Sequence, residues 1–244
     1  MRIIERAQSP YQSVVVRGDG VQTEFQVQGA VHAWRHEHRF LSMAWGAMAA
    51  SVLLAARPPR SVLMLGLAGG TVFRILRHLL PDARLVAVEI DPWIHALARK
   101  HMRLDDLAIE VHLADAKHWL AANRRRFDAV IDDCYLAGAG DVYRPHALDA
   151  PVQQDLLRAV APGGLLAVNL ITGAGHRRLQ SAYRAWFRSH CRETVMLSAP
   201  DSQNEILAGG DTVAGKRALR PYAARFAHHL DARKWKEIRL RRGD

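Results

Sequence analysis

Five apolar runs separated by amphipathic stretches dominate the chain from Ser61 onward: SVLMLGL, RLVAVEID, AIEVHLAD, FDAVIDDCY and GGLLAVNLI. A strand that is apolar on both sides must be covered on both sides, and helices lying between such strands provide that cover. The intervening segments TVFRILRHLL, PWIHALARKHM, KHWLAAN and a stretch near 150–161 carry apolar residues at helical spacing. The expectation is an α/β fold built on a parallel sheet, over residues 57–244, closed by a hairpin of ETVMLS and NEILAGG and ending in one or two basic helices from Arg217. Residues 1–56 read differently. SVVVRGDGVQTEFQV alternates around Gly18-Asp19-Gly20 as a β-hairpin, QGAVHAW adds a short strand, and a helix is expected from Arg39 to Ala56, before Pro58-Pro59. No linker separates the two regions, so the hairpin should pack directly on the main domain.

Chemistry enters at the strand ends. Gly66-Leu67-Ala68-Gly69-Gly70 closes the first run and opens a helix. Glycine there permits a tight turn and close approach of a ligand to the backbone. Glu89 ends the second run, 23 residues after Gly66, where a carboxylate can accept both hydroxyls of a ribose. Asp115 ends the third, where it can accept an adenine amino hydrogen. Together Gly66, Ala68, Gly69, Gly70, Glu89 and Asp115 describe a nucleoside site at the carboxyl edge of the sheet. The spacing G-x-x-G-G differs from the G-x-G-x-x-G of dinucleotide folds, and no Walker lysine follows. A sulfonium nucleoside, S-adenosylmethionine or its decarboxylated form, fits better.

With these segments in place the chain resembles the spermidine synthase (polyamine aminopropyltransferase) family over nearly its whole length. ERAQSPYQSVVV is similar to that family's opening strand and RHEHRFLSM to the segment before its first long helix. VLMLGLAGGTVFR stands at its glycine motif, VAVEIDPWI at its ribose strand, HLADAKHWL at its adenine segment, FDAVIDDCYLAG at its catalytic loop and PDSQNEILAGG at its late strands. The resemblance implies a Rossmann-like fold of the class I S-adenosylmethionine-dependent methyltransferase type, with a small N-terminal β-hairpin region, and a homodimer. It places Asp133 at the family's first loop aspartate, near the sulfonium, as cofactor-binding and catalytic residue, and Tyr11 and Gln12 near the substrate cleft. Tyr143, just after the loop, is a candidate to close over the acceptor.

The departures are as informative. The family's aspartate in the glycine motif is Gly69 here; Phe40, Leu41 and Ser42 replace its Tyr, Gln or His, and Glu; and Leu136 stands at the second, catalytic aspartate. A polyamine needs acidic partners to offset desolvation, and an attacking amine needs a base. On these grounds the first expectation is methyl transfer from S-adenosylmethionine to an unidentified small-molecule acceptor. The alternatives are aminopropyl transfer from the decarboxylated donor, a nucleoside-binding module without catalysis, and methyl transfer to RNA. Asp132, Asp141 and Asp149 are further candidates for a relocated base.

Composition narrows the setting. The net charge of +10 comes from arginine runs such as RRR at 124–126, which suit solvated helix faces or an acidic partner. No aromatic–arginine interleaved segment accompanies them, so nucleic acid binding has no motif behind it. The two cysteines, Cys134 and Cys191, are far apart, as in a reducing compartment. No apolar run reaches the length of a membrane span and the N-terminus lacks a signal-peptide core; a cytoplasmic protein without membrane contact is the expectation. His32, His36 and His38 do not match a metal-ligand spacing, so no metal site is expected. Trp93, just after Glu89, is a candidate to border the nucleoside.

Overall fold

The computed structural model describes residues 1–42 and 44–242. Strands β1 (Arg2–Gln8), β2 (Ser13–Gly18), β3 (Gln22–Val27) and β4 (Ala30–His36) form an antiparallel meander. The expected hairpin is its centre. Asp19 Oδ1 accepts from the backbone N–H groups of Val21 (3.0 Å) and Gln22 (2.9 Å) and shapes the turn. Val14, Val16, Phe25 and Val27 point from alternate positions into the core. Strand β1 pairs with β2 from Arg2 to Gln8, but no residue of it is fully buried, so it lacks the alternation that marks its neighbours.

Helix α1 (Trp45–Val52) is shorter than the expected span of 39–56. Ahead of it, the N–H groups of Phe40 and Leu41 donate to the Asp231 carboxylate at 2.7 and 3.3 Å, an alternative to helical bonding. Met43, within the expected span, lies outside the described residues. All eight residues of α1 are buried, which accounts for a composition of small and apolar side chains on every face.

The main body follows the strand–helix alternation: β5 (Ser61–Leu65), α2 (Thr71–Leu79), β6 (Arg84–Glu89), α3 (Pro92–His101), β7 (Ile109–Leu113), α4 (Ala116–Ala122) and β8 (Phe127–Asp132). A small ribbon, β9 (Leu136–Ala137) with β10 (Val142–Tyr143), precedes α5 (Ala150–Ala159) and β11 (Val160–Ile171). Then come α6 (Arg177–His190), β12 (Glu193–Ser198), β13 (Asn204–Gly210), α7 (Arg220–Ala223), α8 (His229–Glu237) and β14 (Arg239–Arg242). The sheet order is β14-β12-β13-β11-β8-β5-β6-β7. The five expected strands are the parallel ones, and β12 and β13 pair antiparallel as the closing hairpin.

Two elements depart from expectation. Helix α6 is an addition to the expected elements; it carries Leu179, Ala182, Tyr183, Trp186 and Phe187 at helical spacing and fully buries Tyr183 and Phe187. The basic tail holds not only helices but β14, antiparallel to β12; its arginines line a sheet edge, where charge discourages pairing with other chains. Residues 243–244 of the expected 57–244 span lie outside the described residues.

The core does not stop at residue 56. Val16, Phe25 and Trp34 of the N-terminal sheet belong to one buried cluster with Leu54, Val62 and Phe73. The chain steps outward from β5 through β6 to β7, then returns to lay β8 on the other side of β5. That reversal opens a crevice at the carboxyl ends of the strands, where open α/β sheets bind ligands.

Candidate functional site

A cleft of about 690 Å³ occupies this crevice, roofed by the N-terminal meander and by the ribbon of β9 and β10. Its floor is the turn after β5. Gly66 has φ +84°, and a Cβ there would stand 2.5 Å from the carbonyl oxygen of Asp133, so the turn and the end of β8 can approach only without a side chain. Ala68 follows with φ +47° and Gly70 with φ +77°.

Glu89, at the end of β6, secures this turn. Its Oε2 accepts from the N–H groups of Leu67 and Ala68, both at 3.0 Å, and its Oε1 from that of Asp91 at 3.0 Å. Burial pushes its carboxyl up, and the three backbone donors oppose that shift. Asp91 in turn caps α3 and accepts from the Ser9 hydroxyl at 2.6 Å, tying the N-terminal meander to the cleft. Asp115, after β7, caps α4 through Oδ1, while its Oδ2 accepts from His146 Nε2 at 3.1 Å. Burial works against ionisation there, but His146 and the helix N–H groups hold the Asp115 carboxyl below the usual range.

Asp133 stands where β8 ends, in the cleft wall. Its Oδ1 accepts from Asn169 Nδ2 at 2.7 Å; Asn169 Oδ1 accepts from Asn204 Nδ2 at 3.0 Å; and Asn204 accepts from the Ser202 hydroxyl at 3.3 Å. Burial lifts the Asp133 carboxyl to about 7, with the Asn169 hydrogen bond and the nearby Arg144 charge acting in the opposite direction. Behind it lies a buried ion pair, Arg144 to Asp132 at 2.7 Å. Arg144 also donates to the carbonyls of Asp132 and Asn169 and stacks 4.6 Å from the Tyr135 ring.

Of the residues singled out from sequence, Gly66, Ala68, Glu89, Asp115, Asp133 and Gln12 line this cleft. Gly69 and Gly70 do not. A Cβ on Gly69 would meet Ala33 Cβ at 2.6 Å and Met102 Cε at 2.9 Å, so that glycine serves the packing of β4 on the end of α3. Tyr11, Tyr143 and Trp93 are exposed side chains outside the lining. Among the alternative bases, Asp132 is spent on Arg144 and Asp149 caps α5 and pairs with Lys117 at 2.8 Å. Asp141 does line the cleft, paired with His176 at 3.0 Å. His32 lines it too, its ring biased to the neutral form by burial. Sequence reasoning missed Asn169, Asp201, Gln203, Asn204 and His146. Only the asparagine inside the apolar run GGLLAVNLI, a polar residue in a buried strand, gave a signal.

The lining has a lopsided charge. Glu89, Asp115, Asp133, Asp141 and Asp201 face it, and among the described residues no lysine or arginine does. In a chain of net charge +10, this crevice is acidic.

Architecture alone defines the class: a Rossmann-like class I fold with its crevice at the switch point. The spermine/spermidine synthase domain matches residues 45–172, and the chain belongs to that family. It is 32% identical over 126 residues to a polyamine aminopropyltransferase of Chromobacterium violaceum, covering 50% of this chain and 46% of that protein. It is 32% identical over 182 residues to the polyamine aminopropyltransferase of Mycobacterium tuberculosis, covering 68% and 32% respectively. The chain thus spans less than half the length of either relative. Among solved structures, a probable spermidine synthase from Corynebacterium glutamicum superposes with a TM-score of 0.76 at 17% identity, over 100% of this chain and 92% of that one; this likeness speaks for the fold. Among the described residues no helix is long and apolar enough to cross a membrane.

Proposed function

We propose that the protein is an aminopropyltransferase that uses decarboxylated S-adenosylmethionine and an amine acceptor. The observation that carries this reading is the acidic cleft without a lysine or arginine. Decarboxylated S-adenosylmethionine carries a sulfonium and an ammonium, both of which the carboxylates attract. S-Adenosylmethionine adds a carboxylate, which would lie desolvated in this lining without a cationic partner. The expectation of methyl transfer therefore yields to its alternative, and the family relationship favours the same choice.

The residues fit such a donor. Gly66 and Ala68 bring backbone within reach of a nucleoside. Glu89 Oε1, which accepts a single backbone N–H, has a lone pair left for a ribose hydroxyl, and Asp115 can accept from an adenine amino group. The donor supplies a propyl carbon already activated by the positive sulfur. Asp133 takes a proton from the acceptor ammonium and frees its lone pair. The nitrogen–carbon bond then forms as the carbon–sulfur bond breaks, with the electron pair left on sulfur in methylthioadenosine. A carboxyl with a pKa of about 7 is a competent base near neutral pH, and this replaces the base lost with Leu136. Asn169 steers the Asp133 carboxylate into the cleft.

Side-by-side calorimetry with the two donors, coupled to a chromatographic assay for methylthioadenosine, tests the reading. Tighter binding of the decarboxylated donor and amine-dependent release of methylthioadenosine are expected. Preference for the carboxylated donor, or release of S-adenosylhomocysteine in place of methylthioadenosine, overturns it.

A further inference from the structure

The chain leaves the sheet at Asp133, forms the ribbon of β9 and β10 that roofs the cleft, and returns at Arg144. Both feet of this excursion stand on Asp132. On the outgoing side the Cys134 N–H donates to Asp132 Oδ1 at 3.2 Å. On the returning side Arg144 Nη1 donates to Asp132 Oδ2 at 2.7 Å, and Nη2 to the Asp132 carbonyl at 2.8 Å. Nη2 also donates to the Asn169 carbonyl at 2.8 Å, which accepts from the Tyr135 hydroxyl at 3.0 Å as well. The Arg144 side chain is 3% exposed and lies against the rings of Tyr135 and Tyr183, at 4.6 and 5.6 Å. Asn169 thus has two duties: its carbonyl receives the returning foot of the ribbon, and its amide holds Asp133.

A guanidinium suits this place because its planar fork reaches a carboxylate and two carbonyls at once; an ammonium keeps the charge without the fork. Arg144 itself lies behind the cleft lining, whereas Leu136, Asp141 and Val142 of the ribbon belong to it. Charged groups around Asp133 are Asp132 on its own strand, Glu89 at the end of β6, and Arg144, with Asn169, Cys134 and Tyr135 completing the surroundings. The two carboxylates oppose ionisation of Asp133, and Arg144 favours it. We infer that Arg144 is a positioning residue for the transfer: by clamping the returning foot of the ribbon on Asp132 and Asn169, it sets the roof over the acceptor and steers the Asp133 carboxylate together. This rests on the aminopropyl transfer proposed above and goes beyond it in assigning a residue that touches no substrate.

Arg144→Lys separates the fork from the charge, and Arg144→Met removes both. Methylthioadenosine release is followed on the full chain with decarboxylated S-adenosylmethionine and the better of 1,4-diaminobutane and 1,5-diaminopentane. Arg144→Lys should lower kcat/KM for the amine about tenfold or more, chiefly through KM, while the acid limb of the pH–rate profile stays in place. Arg144→Met should add an upward move of that limb by about one unit, because the ionised base loses a favourable charge. Methylthioadenosine should bind wild type and both variants alike, since the nucleoside wall is untouched. If Asp132, left buried without its partner, unfolds Arg144→Met, the double variant Asp132→Asn/Arg144→Met removes both charges while the new amide still accepts from Cys134; the loss in amine kcat/KM should persist there. Variants that lose stability but keep wild-type kcat, amine KM and acid limb reduce Arg144 to a structural ion pair and overturn the inference. A downward move of the acid limb overturns it too, and in both cases aminopropyl transfer stands. No methylthioadenosine from the wild-type chain with either amine removes the transfer and the inference with it.

Discussion

The two walls of the cleft are made in opposite ways. One is formed by successive strand ends: the turn after β5, Glu89 after β6 and Asp115 after β7, all within 50 residues of chain. The other joins Asp133 to Asn169, 36 residues away, then Asn169 to Asn204, 35 residues further, and finally Asp201 to Lys234. The first wall is positioned by the sheet's connectivity, which brings successive strand ends to one crevice. The second depends on side chains from distant segments meeting at one place. Variation in the first should therefore act on nucleoside binding, and variation in the second on catalysis and acceptor choice.

The largest expected effect falls on the second wall. Asp133→Asn should lower kcat by about 100-fold or more, the size of a general-base contribution, with binding of methylthioadenosine little changed. The wild-type rate should rise through an apparent pKa of about 7. The same carboxyl makes a stability prediction of fixed sign. Its native pKa lies above the unfolded value of about 4, so the native state binds the extra proton, and the stability it contributes is lost as pH rises through 7. Asp133→Asn should accordingly gain in Tm over wild type at pH 8 and show little gain near pH 4. A chain of this size shifts by roughly 2–4 °C per kcal/mol. An unchanged Tm difference across that range would place the titrating group elsewhere.

Next in size is Gly66→Ala, which tests the first wall. The added Cβ meets backbone 2.5 Å away at a φ of +84°, a conflict that cannot relax by rotating a side chain. A stability loss of about 1–3 kcal/mol and loss of measurable nucleoside binding are expected by denaturant titration and calorimetry. Glu89→Gln should weaken methylthioadenosine binding about tenfold, because one of its two accepting oxygens, Oε2 toward the turn or Oε1 toward the ribose, becomes a donor. The smallest effect belongs to Asn169→Ala. Its hydrogen bond favours the charged form of Asp133, so removing it should move the acid limb of the pH–rate profile upward by up to about one unit, with plateau activity reduced severalfold. A downward shift would contradict the arrangement.

The same contrast explains what could be read from the chain directly. Buried parallel strands announce themselves by continuous apolar runs, and residues at their ends inherit a position from topology; Gly66, Glu89 and Asp115 were legible for that reason. Gly69 sat in the same motif yet turned toward Ala33 and Met102, because the motif alone does not say which face of the turn meets ligand and which meets β4. Asp201 and His146 lie in loops, whose sequence carries no period, and Asn204 opens β13; their meeting is fixed by tertiary packing. Strand β14 was read as helix because a run of arginines around Leu240 gives no strand alternation; its pairing comes from β12 offering a free edge. The charge of the cleft was likewise hidden: a net charge of +10 is a sum over surfaces and does not report a crevice of opposite sign.

The Asp231 carboxylate, fully buried, accepts the N–H groups of Phe40 and Leu41 from 190 residues away in the chain. Contacts of such separation must close a long loop before they are rewarded, which slows folding. The parallel sheet can assemble from neighbouring segments, but the segment leading into α1 acquires its partner only when α8 docks. The acceptor end is thereby tied to the docking of α8, whereas the nucleoside wall is built within the sheet's own connections.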